Sequence, residues 1–352
     1  MAKVVTPKDI RSALHEIWDT FKDTDKMRAC LFNLVIYGMK DQRGNYLNAL
    51  VEKMIQKFPS RIIFISIDPE ASGKIETSVD VLSAEGGKQQ IMCDLINIDV
   101  SEDKKEKIPF LMLPHILPDL PVYMVHAVDP CKNDPTGFSL ESFATRVIYD
   151  SEASDSLPHF AKSVLEHHTK KKCQIADLSW GRIEGWRQLL IDTLTREELK
   201  EIQEITITYN DTENETYKHP RIQSTFIQGW LATQLGWKLT GCSKESFEYE
   251  GVSVKLVPGQ LEGLYPGRII NLTLKIGNGS SISFVRKKEP LHHIRVEKST
   301  QDACLLPTTY IFDKNSIGLS LVREIYHANT STHFLKLMQY LADTEGTSCQ
   351  IQ

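Results

Sequence analysis

The stretch ACLFNLVIYGMKDQRGNYLNALVEKMIQKFPSRIIFISI, residues 29–67, decides the reading of the fold. Ala29 to Tyr37 is almost wholly apolar, as a strand covered on both faces would be. Leu47, Leu50, Val51, Met54, Ile55 and Phe58 then recur at the spacing that places them on one side of a helix. Pro59 has no amide proton to continue that helix, and RIIFISI (61–67), rich in β-branched residues, reads as the next strand. Strands separated by helices imply an α/β layer.

The same alternation extends to both sides. Ile10, Leu14, Ile17, Trp18 and Phe21 repeat at helical spacing. Further strands are expected over 90–98, 121–128 and 146–149, and a helix over 157–171. The pattern breaks at KKKCQIAD (170–177). A boundary there divides the chain into an α/β domain, residues 1–172, with a mixed or largely parallel sheet, and a second domain, residues 173–352. In the second part, helices are expected over 183–193 and 222–234. After Trp237 the pattern becomes β, with strands at 246–250 and 252–257 flanking Gly251. Strands at 268–276 and 281–286 flank Gly277-Asn278-Gly279, and Asn-Gly readily takes the positive φ of a tight turn. With another strand at 291–297 and a helix at 321–341, this half reads as α+β with an antiparallel sheet.

A chain of 352 residues exceeds the usual single-domain size. Its 41% hydrophobic and 25% charged residues suit a protein with a sizeable core. A net charge of -5 offers no general attraction to nucleic acid. MAKVVTPKDIRSALHEIW has no apolar run suited to a signal peptide, and no segment approaches the roughly 20 apolar residues of a membrane span. A cytoplasmic protein without membrane contact is expected. The 7 cysteines (Cys30, Cys93, Cys131, Cys173, Cys242, Cys304 and Cys349) are widely spaced, with no CxxC. That pattern argues against a disulfide framework and a structural zinc site, so reduced thiols are expected, with Cys30 and Cys93 buried in strands.

Motifs for catalysis are missing: the chain has no GxGxxG, GxxxxGK[ST], HExxH or GxSxG. Glu85-Gly86-Gly87-Lys88 lacks phosphate-loop spacing and reads as a surface turn. Neighbouring side chains in Glu166-His167-His168 and His292-His293 point in different directions, so neither group chelates a metal by itself. Cys349 to Gln352 has the form of a prenylation box, but no polybasic stretch precedes it. No catalytic residue, cofactor site or metal site is therefore assigned. An enzyme on this sheet would place its site at the strand ends, where Arg61, Asp68, Lys88 and His126 are the residues to inspect.

Two groups remain as recognition candidates. Asp119 lies among prolines in Leu117-Pro118-Asp119-Leu120-Pro121, where it either caps a local turn or binds an arginine of a partner. Asp177 can cap a helix starting near Ser179. Just after it, Trp180, Arg182, Trp186 and Arg187 concentrate the residue types enriched at interface hot spots. They serve either as partner contacts or as packing between the two halves.

IPFLMLPHILPDLPVYMV (108–125), RVIYDS (146–151), DLSWGRIEGWR (177–187) and GWLATQLGW (229–237) form an ordered signature. It resembles the bacterial glucose-6-phosphate dehydrogenase assembly protein family, OpcA, from about Arg28 to Trp237. The resemblance implies a non-catalytic factor whose partner is glucose-6-phosphate dehydrogenase in the oxidative pentose phosphate pathway. The alternative is a sugar-phosphate or nucleotide-binding enzyme with an irregular site.

Overall fold

The strand β6, Gln90–Ser101, shows how the first sheet is organised: it pairs in parallel with two shorter strands and antiparallel with a third. In the computed structural model all residues are described except 1, 23, 57, 85–89, 133, 213–214, 244, 313–315, 328 and 345–352. The Glu85–Lys88 turn and the Cys349–Gln352 box therefore lie outside the described residues. The strands are β1 (Lys3–Val5), β2 (Lys26–Arg28), β3 (Asn33–Met39), β4 (Arg61–Asp68), β5 (Ile75–Ala84), β6 (Gln90–Ser101), β7 (Val122–Ala127), β8 (Arg146–Tyr149) and β9 (Gln174–Asp177) in the first sheet. The second holds β10 (Ile202–Asn210), β11 (Leu239–Cys242), β12 (Ser246–Tyr249), β13 (Val252–Gly259), β14 (Ile269–Ile276), β15 (Ser281–Arg286), β16 (His293–Ser299) and β17 (Thr308–Ile311). The helices are α1 (Ile10–Asp19), α2 (Gln42–Ile55), α3 (Ile108–Met112), α4 (Pro135–Leu140), α5 (Leu157–Lys171), α6 (Leu178–Arg182), α7 (Glu184–Thr193), α8 (Arg196–Lys200), α9 (Ile222–Leu235), α10 (Ser316–Tyr326) and α11 (Thr332–Asp343).

Strands β6-β4-β3-β7-β8-β9 are all parallel neighbours. Numbered by appearance, with β3 first and β6 third, their order is 3-2-1-4-5-6, the doubly wound order of dinucleotide-binding folds. The edge is extended by β5 and β1, both antiparallel, which makes the sheet mixed but largely parallel as expected. Ile36, Val125 and Ile148 on one face pack with Leu47, Leu50, Val51 and Met54 of α2 and with Leu321, Val322 and Ile325 of α10. Val35, Ile63, Ile65 and Met124 on the other pack with Ile10 and Leu14 of α1 and Ile108 and Met112 of α3. Each fully buried Leu or Ile contributes roughly 1.5–3 kcal/mol.

The second sheet runs β11-β12-β13-β10-β14-β15-β16-β17. Every neighbouring pair is antiparallel except β10 and β13, in keeping with the α+β expectation. Alternate residues Leu272, Leu274, Ile282, Phe284, Ile294 and Val296 are buried, as a sheet covered on one face requires. In the covering helices, a Cβ on Gly229 of α9 would stand 2.7 Å from Leu337 Cδ1 of α11, so glycine permits their close approach. The Gly277-Asn278-Gly279 turn joins β14 to β15 with Gly279 at φ 78°, as its sequence requires.

The chain divides into two compact units: residues 1–153, 167–178 and 317–329 form one, and 154–166, 179–316 and 330–352 the other. A single boundary at 172/173 does not express this division. Strand β9 pairs with β8 and so completes the first sheet, although it follows the break in pattern. Likewise the single helix expected at 321–341 is two. α10 belongs to the first unit, where Glu324 accepts from Arg146 at 3.3 Å. Ser331 caps α11 by accepting from the Phe334 N–H.

Candidate functional site

Open doubly wound sheets bind ligands beyond the carboxyl ends of the strands, where the order reverses, here between β3 and β7. The turn leaving β3 is Met39-Lys40-Asp41. In a phosphate cradle the first amides of the following helix face an anion. Here Asp41 supplies its own carboxylate: Oδ1 accepts from the Gly44 N–H at 2.8 Å. A Cβ on Gly44 would lie 2.5 Å from the Met39 carbonyl oxygen, so the turn is also closed against backbone. Arg43, only 5% exposed, donates from Nε and Nη2 to the two oxygens of fully buried Asp150, each at 2.7 Å. The bidentate pair ties the start of α2 to the end of β8.

The four residues suggested for an enzymatic site do not converge. Arg61 begins β4 and Asp68 ends it, so they stand at opposite ends of the sheet. Arg61 is held by Asp94, which also accepts from Arg28 and from the Trp18 indole. Asp68 accepts from Lys40 at 3.0 Å, and Lys88 lies outside the described residues. His126 enters a separate cluster of titratable groups. Its Nδ1 lies 2.7 Å from Glu141 Oε1, and His167 Nδ1 lies 3.0 Å from Glu141 Oε2. Tyr149 donates to the same carboxylate at 3.0 Å. Burial would raise the Glu141 pKa, but the hydrogen bonds and charges of His126 and His167 outweigh it and hold the carboxyl at about 2. Two imidazoles on one carboxylate could relay a proton. Yet Glu141 is fully buried and His126 is 2% exposed with Nε2 sealed off and unbonded, so only the partly exposed His167 of this group faces solvent. The sequence singled out His126 but not Glu141 or Tyr149, because their meeting depends on α4 and α5 folding over the sheet. Among the described residues no group of three or more His, Cys, Asp or Glu could hold a metal ion.

Asp119 sits at φ 67°, a left-handed conformation that Asp tolerates in turns, and its carboxylate is exposed with no hydrogen bond among the described residues. The turn is instead held by Asn33, an unrecognised buried polar residue in β3. Its Nδ2 donates to the Leu117 and Leu120 carbonyls, and its Oδ1 accepts from the Leu117 N–H at 2.8 Å.

Trp180, Arg182 and Trp186 are interior residues of the second unit, 2%, 6% and 3% exposed, and Arg187 is half-buried. Arg187 lies over the Trp180 ring at 3.4 Å, and Trp180 packs on Phe334. Trp186 meets Phe312 edge to face at 5.3 Å. Arg182 donates to the Ser179 hydroxyl at 3.2 Å and faces Tyr217. Asp177 accepts from the Ser151 N–H at 2.9 Å. The thiols depart from expectation at two positions, since Cys30 is half-buried and lies outside any strand, and Cys242 is disulfide-bonded. Cys93 is buried in β6 as expected, and Cys30, Cys93, Cys173 and Cys304 are free. Wide spacing along a chain does not limit which residues meet in space.

Two family profiles match the chain. The glucose-6-phosphate dehydrogenase subunit N-terminal domain matches residues 51–164, and the subunit's C-terminal domain matches residues 173–316. An OxPP cycle protein, OpcA, from Synechococcus elongatus is 24% identical over 219 residues, 60% of this chain and 46% of that protein. Its counterpart from Synechocystis is 27% identical over 164 residues, 46% of this chain and 33% of that protein. The chain thus spans less than half the length of these relatives. Among solved structures, a 3-ketoreductase, KijD10, from Actinomadura kijaniata in complex with TDP-benzene and NADP has a TM-score of 0.54 at 10% identity, over 91% of this chain and 98% of that one. A dehydrogenase from Chromobacterium violaceum has a TM-score of 0.51 at 12% identity, over 91% and 94%. At such identities the likeness is one of fold.

Proposed function

The chain belongs to the glucose-6-phosphate dehydrogenase assembly protein family, OpcA, and from that premise we propose that it is a non-catalytic factor that binds glucose-6-phosphate dehydrogenase. The observation that carries this reading is the pair of family matches, which fall on both halves of the chain. By binding one oligomeric or conformational state of the enzyme more tightly than others, the factor shifts the population towards the active state. The place of action is the cytoplasm, and no described helix is long and apolar enough to cross a membrane. The self-capped turn at Asp41 supports a non-catalytic role, since the Gly44 amide at the start of the helix already has a carboxylate partner.

Asp119 is the first contact candidate, because its carboxylate is exposed and can pair with an arginine of the dehydrogenase. Arg187 is the second; Trp180, Arg182 and Trp186 would hold that surface from beneath. Co-purification with the dehydrogenase of the same organism, followed by an activity assay with and without this chain, tests the reading. Retention of the dehydrogenase and a rise in its rate are expected. Absence of both retention and a rate change would overturn it. The strand order favours one alternative, a nucleotide- or sugar-phosphate-binding enzyme. Saturable binding of a dinucleotide, with turnover by the chain alone, would establish that alternative.

A further inference from the structure

Arg286, the last residue of β15, is a buried cation held without a carboxylate. It is 9% exposed. Nε donates to the Ile269 carbonyl at 3.0 Å and Nη1 to the Leu291 carbonyl at 2.6 Å. Nη2 makes no hydrogen bond to any described residue, and it is not sealed from solvent. The Trp186 and Phe312 rings flank the guanidinium, their centroids 5.6 and 5.5 Å from Cζ. Two carbonyls satisfy donors but do not neutralise charge. Burial, then repulsion from Arg268, pull the guanidinium down to about 9.

A buried charge without a counter-charge is costly to hold, and interiors normally match it with an opposite charge. A planar guanidinium with two nitrogens anchored presents the third in a fixed direction, the geometry that receives an oxyanion. We propose that Arg286 is the core of a binding site for a small oxyanion, a phosphate or carboxylate group seated on Nη2 against Trp186 and Phe312, with Arg268 adding charge. The motif was not evident in the sequence, where Arg286 begins an ordinary Arg-Lys-Lys run.

Inorganic phosphate and acetate are titrated separately into the full chain by calorimetry, with chloride holding ionic strength constant. In parallel, the Arg286 Nε–H resonance is followed by NMR, assigned through its loss in Arg286→Lys. One anion should bind saturably at one site and shift that resonance. Preference for phosphate identifies a phosphorylated ligand, and preference for acetate a carboxylate. Arg286→Met should weaken binding at least tenfold, while its melting temperature stays level or rises because an unmatched charge is gone. The proposal fails if neither anion binds beyond chloride, if binding leaves the Arg286 resonance unmoved, or if the Met variant binds undiminished. The wild-type titrations decide even if that variant does not fold.

Discussion

Glu141 illustrates how one residue can concentrate the electrostatics of a fold. Its pKa is depressed from an ordinary 4.5 to about 2, against burial, by His126 and His167. A depressed carboxyl contributes stability that is present above its unfolded pKa and lost as pH falls through its folded one. The window is therefore about pH 4.5 down to 2, and the shift corresponds to ~3 kcal/mol. Urea unfolding across this window should show that loss in the wild type and a flatter limb in Glu141→Gln; equal slopes would remove Glu141 as its source. Exposure separates the recognition candidates in the same way. Arg182→Ala, made at a buried side chain, should lower the melting temperature and leave affinity for the dehydrogenase unchanged in the folded fraction. Asp119→Ala should leave the melting temperature alone and weaken association by ~1–3 kcal/mol. The reverse pattern would exchange their roles.

At the level of elements, the start of α2 determines what the doubly wound sheet can do. Its Gly44 amide is capped by Asp41, and its first turn is anchored by the buried Arg43–Asp150 pair. Asp41→Ala should cost about 1 kcal/mol, as loss of an N-cap does. Removing one partner of the buried pair should cost more, about 3–5 kcal/mol, because it takes a bidentate partner from a buried charge. Denaturant midpoints of Asp41→Ala and Arg43→Met rank the two; comparable small losses would show that the pair contributes little. β10 makes a different point. Its residues, IQEITITYN, alternate clearly, yet it was not foreseen as the strand joining β13 in parallel to β14 in antiparallel. Its position in the middle of the sheet follows from long-range pairing, which local alternation does not encode.

For the whole molecule, a factor that binds the dehydrogenase in its folded state must itself be stabilised by it, by RT ln(1 + [L]/Kd), or about 2.7 kcal/mol at a hundredfold excess over Kd. The melting temperature of this chain should therefore rise with dehydrogenase concentration, and the chain alone should not turn over glucose 6-phosphate. A concentration-independent melting temperature would argue against binding. The sequence by itself determined the alternation of strands and helices around residues 29–67, the α+β character of the second half, the Asn278-Gly279 turn and the family signature, because these depend on local periodicity, backbone preference and residue order. Only the tertiary structure decided that β9 and α10 return to the first unit, that Glu141 is shared by two histidines, that Trp180 and Trp186 are interior, that Cys242 is disulfide-bonded, and that Arg286 is buried without a counter-charge. Each of these depends on groups distant in sequence being brought together, where burial and the lack of solvent screening set the energy of every polar contact.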